Sequence, residues 1–315
     1  MRSAVPVFLV AGLSPNPNRA SLRAARHAAA GAAKLSARWP LVAASFFFVS
    51  ELIQAVLTID RVADFLERFA PTHLAEEWDN VGLLVGDRRR PLQRIMTCLT
   101  LTEKSIDEAV DKAADLVVSH HPLPFRPLRR LSSDTLQGRR LLKLIRAEVA
   151  VYSPHTAFDS AGQGINERLA QGLGLSRIMP LVPAETEFGS GRIGVLKRAV
   201  SAGDLAQRVK TFLQVEHVQL VGRVEAALKT VAVGCGSAGE LLPQAIDQGC
   251  DAMVLGETRF HTCLDAEAAD IVLILPGHYA SERFAVEQLA DVLTQEFPQA
   301  EVWASRREHD PLAWL

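Results

Sequence analysis

The sequence has no closely paired cysteines and no excess of charge of either sign, and each absence narrows what the chain can do. Its four cysteines, Cys98, Cys235, Cys250 and Cys263, stand apart, with no Cys-x-x-Cys among them. A zinc ribbon and a dithiol redox centre both need such close pairs, so neither is encoded. Scattered single thiols fit core packing in a reduced compartment, which predicts a cytoplasmic protein. The formal charge is only -2 over 315 residues. Without a basic field no nucleic-acid partner is expected, and small-molecule chemistry becomes the starting expectation. Also missing are the phosphate-binding loop with its Lys-Ser/Thr, the dinucleotide glycine fingerprint, and any Ser-His-Asp or Cys-His nucleophile arrangement.

No stretch reads as a membrane span. The most apolar one, "LVAASFFFVSELIQAVL", is interrupted by Ser50 and Glu51 and is short for a bilayer crossing. Its phase runs on into "IDRVADFLERFAP", so its second half is expected to open the first helix of the folded part. Residues 1–50 carry six Lys or Arg and no Asp or Glu, with a run of Ala and Ser. That composition suits a transit-like or disordered leader, or an overlong start.

What the chain does have is length for a real core, 48% hydrophobic residues, and a regular alternation after Pro91. "RIMTCLTL", "DLVVS" and "VAVYS" read as strands. Between and after them come helical patterns, the first with Thr102 as its N-cap. A second series begins near Gly191, through "KTVAVGCG", "DAMVLGE" and "IVLILPGH" to the long helical pattern "ASERFAVEQLADVLTQEF". The Pro- and Gly-rich "IMPLVPAETEFGSG" is the natural seam. These patterns predict an α/β protein of two similar lobes, 51–185 and 186–315, with mainly parallel strands and helices on both faces.

In such folds the residues just after each strand line one edge of the sheet, where ligands bind. His120 and His121 follow "DLVVS", His155 and Asp159 follow "VAVYS", and His278 and Glu282 follow "IVLILP". Each cluster alone has a plain explanation: a solvated His-His turn, an Asx turn, a surface pair at helical spacing. Together, at matching strand ends, they point to a metal. Imidazoles mixed with carboxylates suit zinc, iron, manganese or nickel rather than calcium. A carboxylate such as Glu282 could bridge two cations about 4 Å apart. His261 reads as core or surface packing, with support of a metal ligand the lesser option, Trp78 as a core anchor, and Asp79-Asn80 as a turn. "GCGSAGE" reads as a tight strand-to-helix turn, with anion binding the lesser option. Arg126 and Arg129, just beyond the His pair, are candidates to meet an anionic substrate, or else face solvent.

"AEEWDNVGLLVGD", "SHHPLPFRPL", "SPHTAFD" with "GINERLA", "GCGSAGE", "LGETRFH" and "GHYASE" occur in the order found in the NIF3-like family, also named the GTP cyclohydrolase I type 2 family. The resemblance covers about Leu52 to Phe297. It implies a two-lobed α/β protein with a dinuclear metal centre between the lobes, assembled as a toroidal homohexamer. Position by position it implies that His120, His121, Asp159, His278 and Glu282 hold two divalent ions per chain, zinc, iron or manganese, with Glu282 bridging. His155 matches a family histidine near the metals. The short seam matches the form without an inserted middle domain. The family's name implies a GTP cyclohydrolase-type activity, and the expected function is a metal-dependent hydrolase acting through a metal-activated water on a nucleotide or other phosphate-containing small molecule. Other members, described as regulators or partners of transcription factors, imply the alternative of a non-catalytic metal-binding scaffold.

Overall fold

A computed structural model describes residues 56–184 and 188–313, so the expected leader at 1–50 lies outside the described residues. The first described helix, α1 (Ile59–Phe69), follows an extended Thr58 and a Leu57 whose carbonyl accepts from Leu92 N, while residues 51–55, where the apolar phase begins, lie outside the described residues. Among the described residues no helix is long and apolar enough to cross a membrane.

Two sheets organise the chain. The first runs β1 (Gly82–Val85), β4 (Ala150–Ser153), β3 (Leu116–Ser119), β2 (Arg94–Cys98) and β11 (Glu301–Ala304), parallel except at β1. Helices α2 (Glu103–Asp111) and α3 (Leu136–Arg146) make its crossovers, and α4 (His155–Ser160) and α5 (Ile165–Gly172) leave it. The second runs β5 (Leu175–Pro183), β6 (Gly189–Ser201), β8 (Ala227–Gly234), β9 (Ala252–Leu255), β10 (Val272–Leu275) and β7 (Gln219–Val221). Its centre is parallel and its flanks antiparallel. Helices α6 (Ala202–Leu213), α7 (Leu242–Asp247), α8 (Phe260–Ala268) and α9 (His278–Glu296) complete it.

β3, β4, β9 and β10 are buried at every position, as strands covered on both faces must be. Thr102 does cap α2: its hydroxyl accepts from Ser105 N and the Ser105 hydroxyl accepts from Thr102 N. Both sheets start their parallel core the same way. Asp115 accepts from the amides of Gln93 and Arg94, and Asp251 from those of Lys229 and Thr230.

Two elements differ from the sequence reading. Most of the described part of the Pro-rich seam is strand: β5 carries Pro180 and Pro183, and as an edge strand it has outward positions that need no amide donor. The short β11 was not read at all, and it returns to the first sheet beside β2. α9 leads there. It leaves the second sheet and packs Ala285, Leu289 and Leu293 with Ile59, Val62, Leu66, Ile95 and Leu116 in the core of the first.

Candidate metal centre

The strand ends of both sheets converge on one cavity of about 780 Å³. His120 and His121 follow β3, His155 and Asp159 sit on α4 just after β4, and His278 and Glu282 share a face of the first turns of α9. The six residues singled out from the sequence are therefore brought together. Ligating atoms of His120, His121 and His155 lie within 4.8 Å of one another, as do those of His121, His278 and Glu282.

Glu282 is the hub. Its Oε2 is 3.1 Å from His121 Nε2 and 3.0 Å from His278 Nε2, while its Oε1 faces His120 Nε2 at 3.8 Å. Asp159 Oδ1 faces the same nitrogen at 3.7 Å. Burial opposes charge on Glu282, yet the imidazoles of His120, His121 and His278 hold its carboxyl well below the usual range. Burial, and then the nearby Glu282 carboxylate, push Asp159 upward. The hydrogen bond to Glu282, aided by Glu257, lifts His278 to about 9. A buried carboxylate, Glu282, and a half-buried one, Asp159, thus compete for positive charge.

His120 tests whether a cation fits. Its side chain is 1% exposed, and among the described residues neither ring nitrogen has a hydrogen-bond partner. A buried imidazole facing two carboxylates at 3.7 and 3.8 Å is too far for hydrogen bonds and spaced for an ion between them. The buried His and Glu group can therefore bind metal ions, and its N/O chemistry suits a transition metal.

Several supports for these side chains were not visible in the sequence. Asp79, read as a turn residue, accepts from His155 Nδ1 at 2.7 Å and from the Thr156 amide and hydroxyl. Burial disfavours its charge, but these bonds hold its carboxyl at about 2. The bond also orients His155 with Nε2 free of Asp79, on a backbone held at φ 30°. Glu257 binds His278 Nδ1 at 2.9 Å, and Thr100 Oγ1 binds His121 Nδ1 at 2.7 Å. Such partners fix ring orientation and leave Nε2 for a metal. Thr100 is itself held: Glu308 accepts from the amides of Leu99 and Thr100 at 2.8 and 2.6 Å. Glu257 follows β9, so the strand-end rule could have found it; Thr100 and Glu308 carry no local signal.

Four further readings can be set against the structure. The "GCGSAGE" turn spends its first amides inside the protein, Cys235 N on Asn166 and Gly236 N on Ser281. Gly236, at φ +60°, is there for close approach: a Cβ would lie 2.2 Å from Glu282 Oε1. Cys235 donates to Asp159 at 3.2 Å, and burial pushes its thiol up, so it stays protonated. Arg126 and Arg129 are exposed and do not line the cavity, whereas Arg140 on α3 does. Trp78 is 58% exposed at the cavity rim instead of anchoring the core. His261 is exposed on α8.

The class these observations define is an α/β protein of two sheets whose strand ends bring together a His and carboxylate cluster able to hold metal ions. Residues 57–311 match the model of the family described as Duf34/NIF3 (NGG1p interacting factor 3), and the chain belongs to that family. It is 30% identical over 262 residues to a Clostridium perfringens protein named "GTP cyclohydrolase 1 type 2 homolog", covering 82% of this chain and 100% of the relative. It is 34% identical over 261 residues to the Schizosaccharomyces pombe "Protein NIF3 homolog", covering 77% and 92%. The crystal structure of a Bacillus cereus protein related to NIF3 superposes with a TM-score of 0.75 at 23% identity, over 83% of this chain and all of that one, which shows the shared fold.

Proposed function

We propose that the chain is a metal-dependent hydrolase that holds two divalent ions through His120, His121, Asp159, His278 and Glu282, with Glu282 bridging. Its substrate is a nucleotide or another phosphate-containing small molecule. The observation that carries the reading is the buried, unpartnered His120 between Asp159 and Glu282, with the second Glu282 oxygen turned to His121 and His278. One carboxylate facing two separate sets of imidazoles is what a bridge requires.

Divalent ions held by these residues would supply an acidified water near neutral pH and a Lewis acid for a phosphoryl or ring atom. The chain's own residues do the rest. Five protein ligands shared between two ions cannot close both shells, so places for water and substrate remain, which favours catalysis over a closed structural site. Asp79 orients His155 so that Nε2 can take a proton at the cluster. The relatives' name, "GTP cyclohydrolase 1 type 2 homolog", adds hydrolytic opening of a purine ring as the reaction to try first.

The reading places the protein in the cytoplasm as a ring of six, and sedimentation of the full chain checks the assembly. Exposed Phe260 and Leu264 on α8 offer apolar surface for such packing. The rival is a metal-binding scaffold without turnover. Elemental mass spectrometry of protein purified without chelator is expected to give close to two transition-metal ions per chain. His121→Ala is expected to lose metal and activity together while its circular dichroism stays that of the folded chain. A fully active, metal-free His121→Ala protein sinks the proposal; full metal loading with no turnover across a metabolite panel favours the scaffold.

Thr100→Val tests the support of His121. Loss of the hydroxyl is expected to weaken metal binding roughly 10-fold or more in competition with a chromophoric chelator. An unchanged affinity would reduce Thr100 to packing.

A further inference from the structure

Large aromatic side chains are normally withdrawn from water, yet two are held out of the core at the mouth of the metal cavity. Trp78 is 58% exposed and Phe125 42% exposed. Their ring centroids are 5.7 Å apart and their planes tilted by 35°, so together they form one shallow wall. The His155 ring stands edge-on to both, at 6.0 Å from Trp78 and 5.9 Å from Phe125. The wall thus runs from the rim inward to His155, whose ring lies 5.2 Å from His120 and 5.5 Å from His121.

The exposure is built in. Trp78 is followed by Asp79 and Asn80, and both are fastened on the cavity side. Asp79 accepts from His155 and Thr156, and Asn80 Nδ2 donates to Pro124 O at 2.7 Å, tying the loop of Trp78 to the loop of Phe125. On its other side the Glu76 amide donates to the Thr156 hydroxyl at 3.0 Å. A loop pinned this closely cannot fold the indole into the core, so the two rings are preorganised with open faces. Arg140 lines the same cavity and brings positive charge, with Glu103 at 3.5 Å as its ion-pair partner.

We infer that Trp78 and Phe125 form a stacking shelf for the flat heterocyclic ring of an anionic small molecule, which they deliver edge-first to the histidine cluster. The inference rests on the proposed function only for what happens to the ring afterwards. Stacking needs no metal and tolerates any base, since every base presents a π face.

The test is calorimetric titration of the full chain, metal-free and metal-loaded, with adenosine and guanosine 5′-monophosphates and with ribose 5-phosphate as the ring-free control. Both nucleotides are expected to bind tighter than ribose 5-phosphate by on the order of 10-fold or more. Trp78→Ala is expected to abolish that preference, Trp78→Phe to keep most of it, and Phe125→Ala to weaken it, in both metal states. The inference is overturned if neither nucleotide binds better than ribose 5-phosphate, or if Trp78→Ala leaves the preference intact. It is overturned too if Trp78→Ala changes the oligomeric state by light scattering while ring preference persists, since the shelf is then a subunit contact. A ring preference without metal uptake or turnover would fell the hydrolase reading alone.

Discussion

Glu282→Ala is expected to empty the metal centre. The carboxylate touches His121 and His278 through one oxygen and faces His120 with the other, so on the proposed reading its removal takes a ligand from both ions at once. Removing an outer partner of a metal ligand typically costs about 10- to 100-fold in affinity, and losing a shared ligand should exceed that. Metal content by elemental mass spectrometry should fall to background. Thermal melts give a second readout. Wild type gains stability from added metal by mass action, about 2.7 kcal/mol at a concentration one hundred times Kd, and the variant should gain none. A Glu282→Ala protein with wild-type metal content would show that the histidines pack around something other than ions.

The second large effect is on folding, at a carboxylate remote from the cavity. Glu108 on α2 is a buried hub for the end of the chain: its Oε2 accepts from Ser305 Oγ and from the amides of Arg306 and Arg307, and its Oε1 from Lys112 and Trp303. Glu108→Ala strands these donors and is expected to cost about 3 kcal/mol or more. In a chain of this size that lowers Tm by roughly 6–12 °C. The effect has a defined pH dependence. Burial opposes charge on Glu108, but the hydrogen bonds win and hold it at about 2, below its usual 4.5. Stability from a depressed carboxyl is present above the usual value and is lost as pH falls toward the folded one. The gap in Tm between wild type and Glu108→Ala should therefore be full at pH 6 and narrow below about pH 4.5. A gap independent of pH would assign the loss to packing instead.

The candidate ligands were legible because parallel topology turns strand ends into addresses. Each useful histidine lies within a few residues of a short, apolar-rich strand; β3 and β4 share an edge of the first sheet, whereas His278 follows β10 of the second, so the meeting of the two edges came only from the structure. The supports were not legible, because they depend on pairings distant in sequence. Asp79 meets Thr156 across 77 positions, and Glu308 meets Thr100 across 208. Trp78 misled for a related reason. An indole beside an apolar run ordinarily goes inside, and only the clamps at Asp79 and Asn80, invisible until the loops meet, keep it out. β5 was hidden by its prolines, which an interior strand would exclude and an edge strand accepts. β11 is as long as β3 or β10 but is an edge strand with no fully buried position, so it lacks the apolar run that marks them.

The return of β11 to the first sheet also sets a timetable. During synthesis at about 5–20 residues per second, Glu308 leaves the ribosome on the order of 10 to 40 seconds after Thr100, whose amide it will hold across 208 positions. Until then the growing chain has an open β2 edge and a His121 without its finished support. The half made first cannot be completed until the other half has been made. Folding of the site is thereby postponed until β11 and Glu308 have been made, and a chain interrupted before β11 would be released with that edge unpaired, as a ready target for aggregation and quality control.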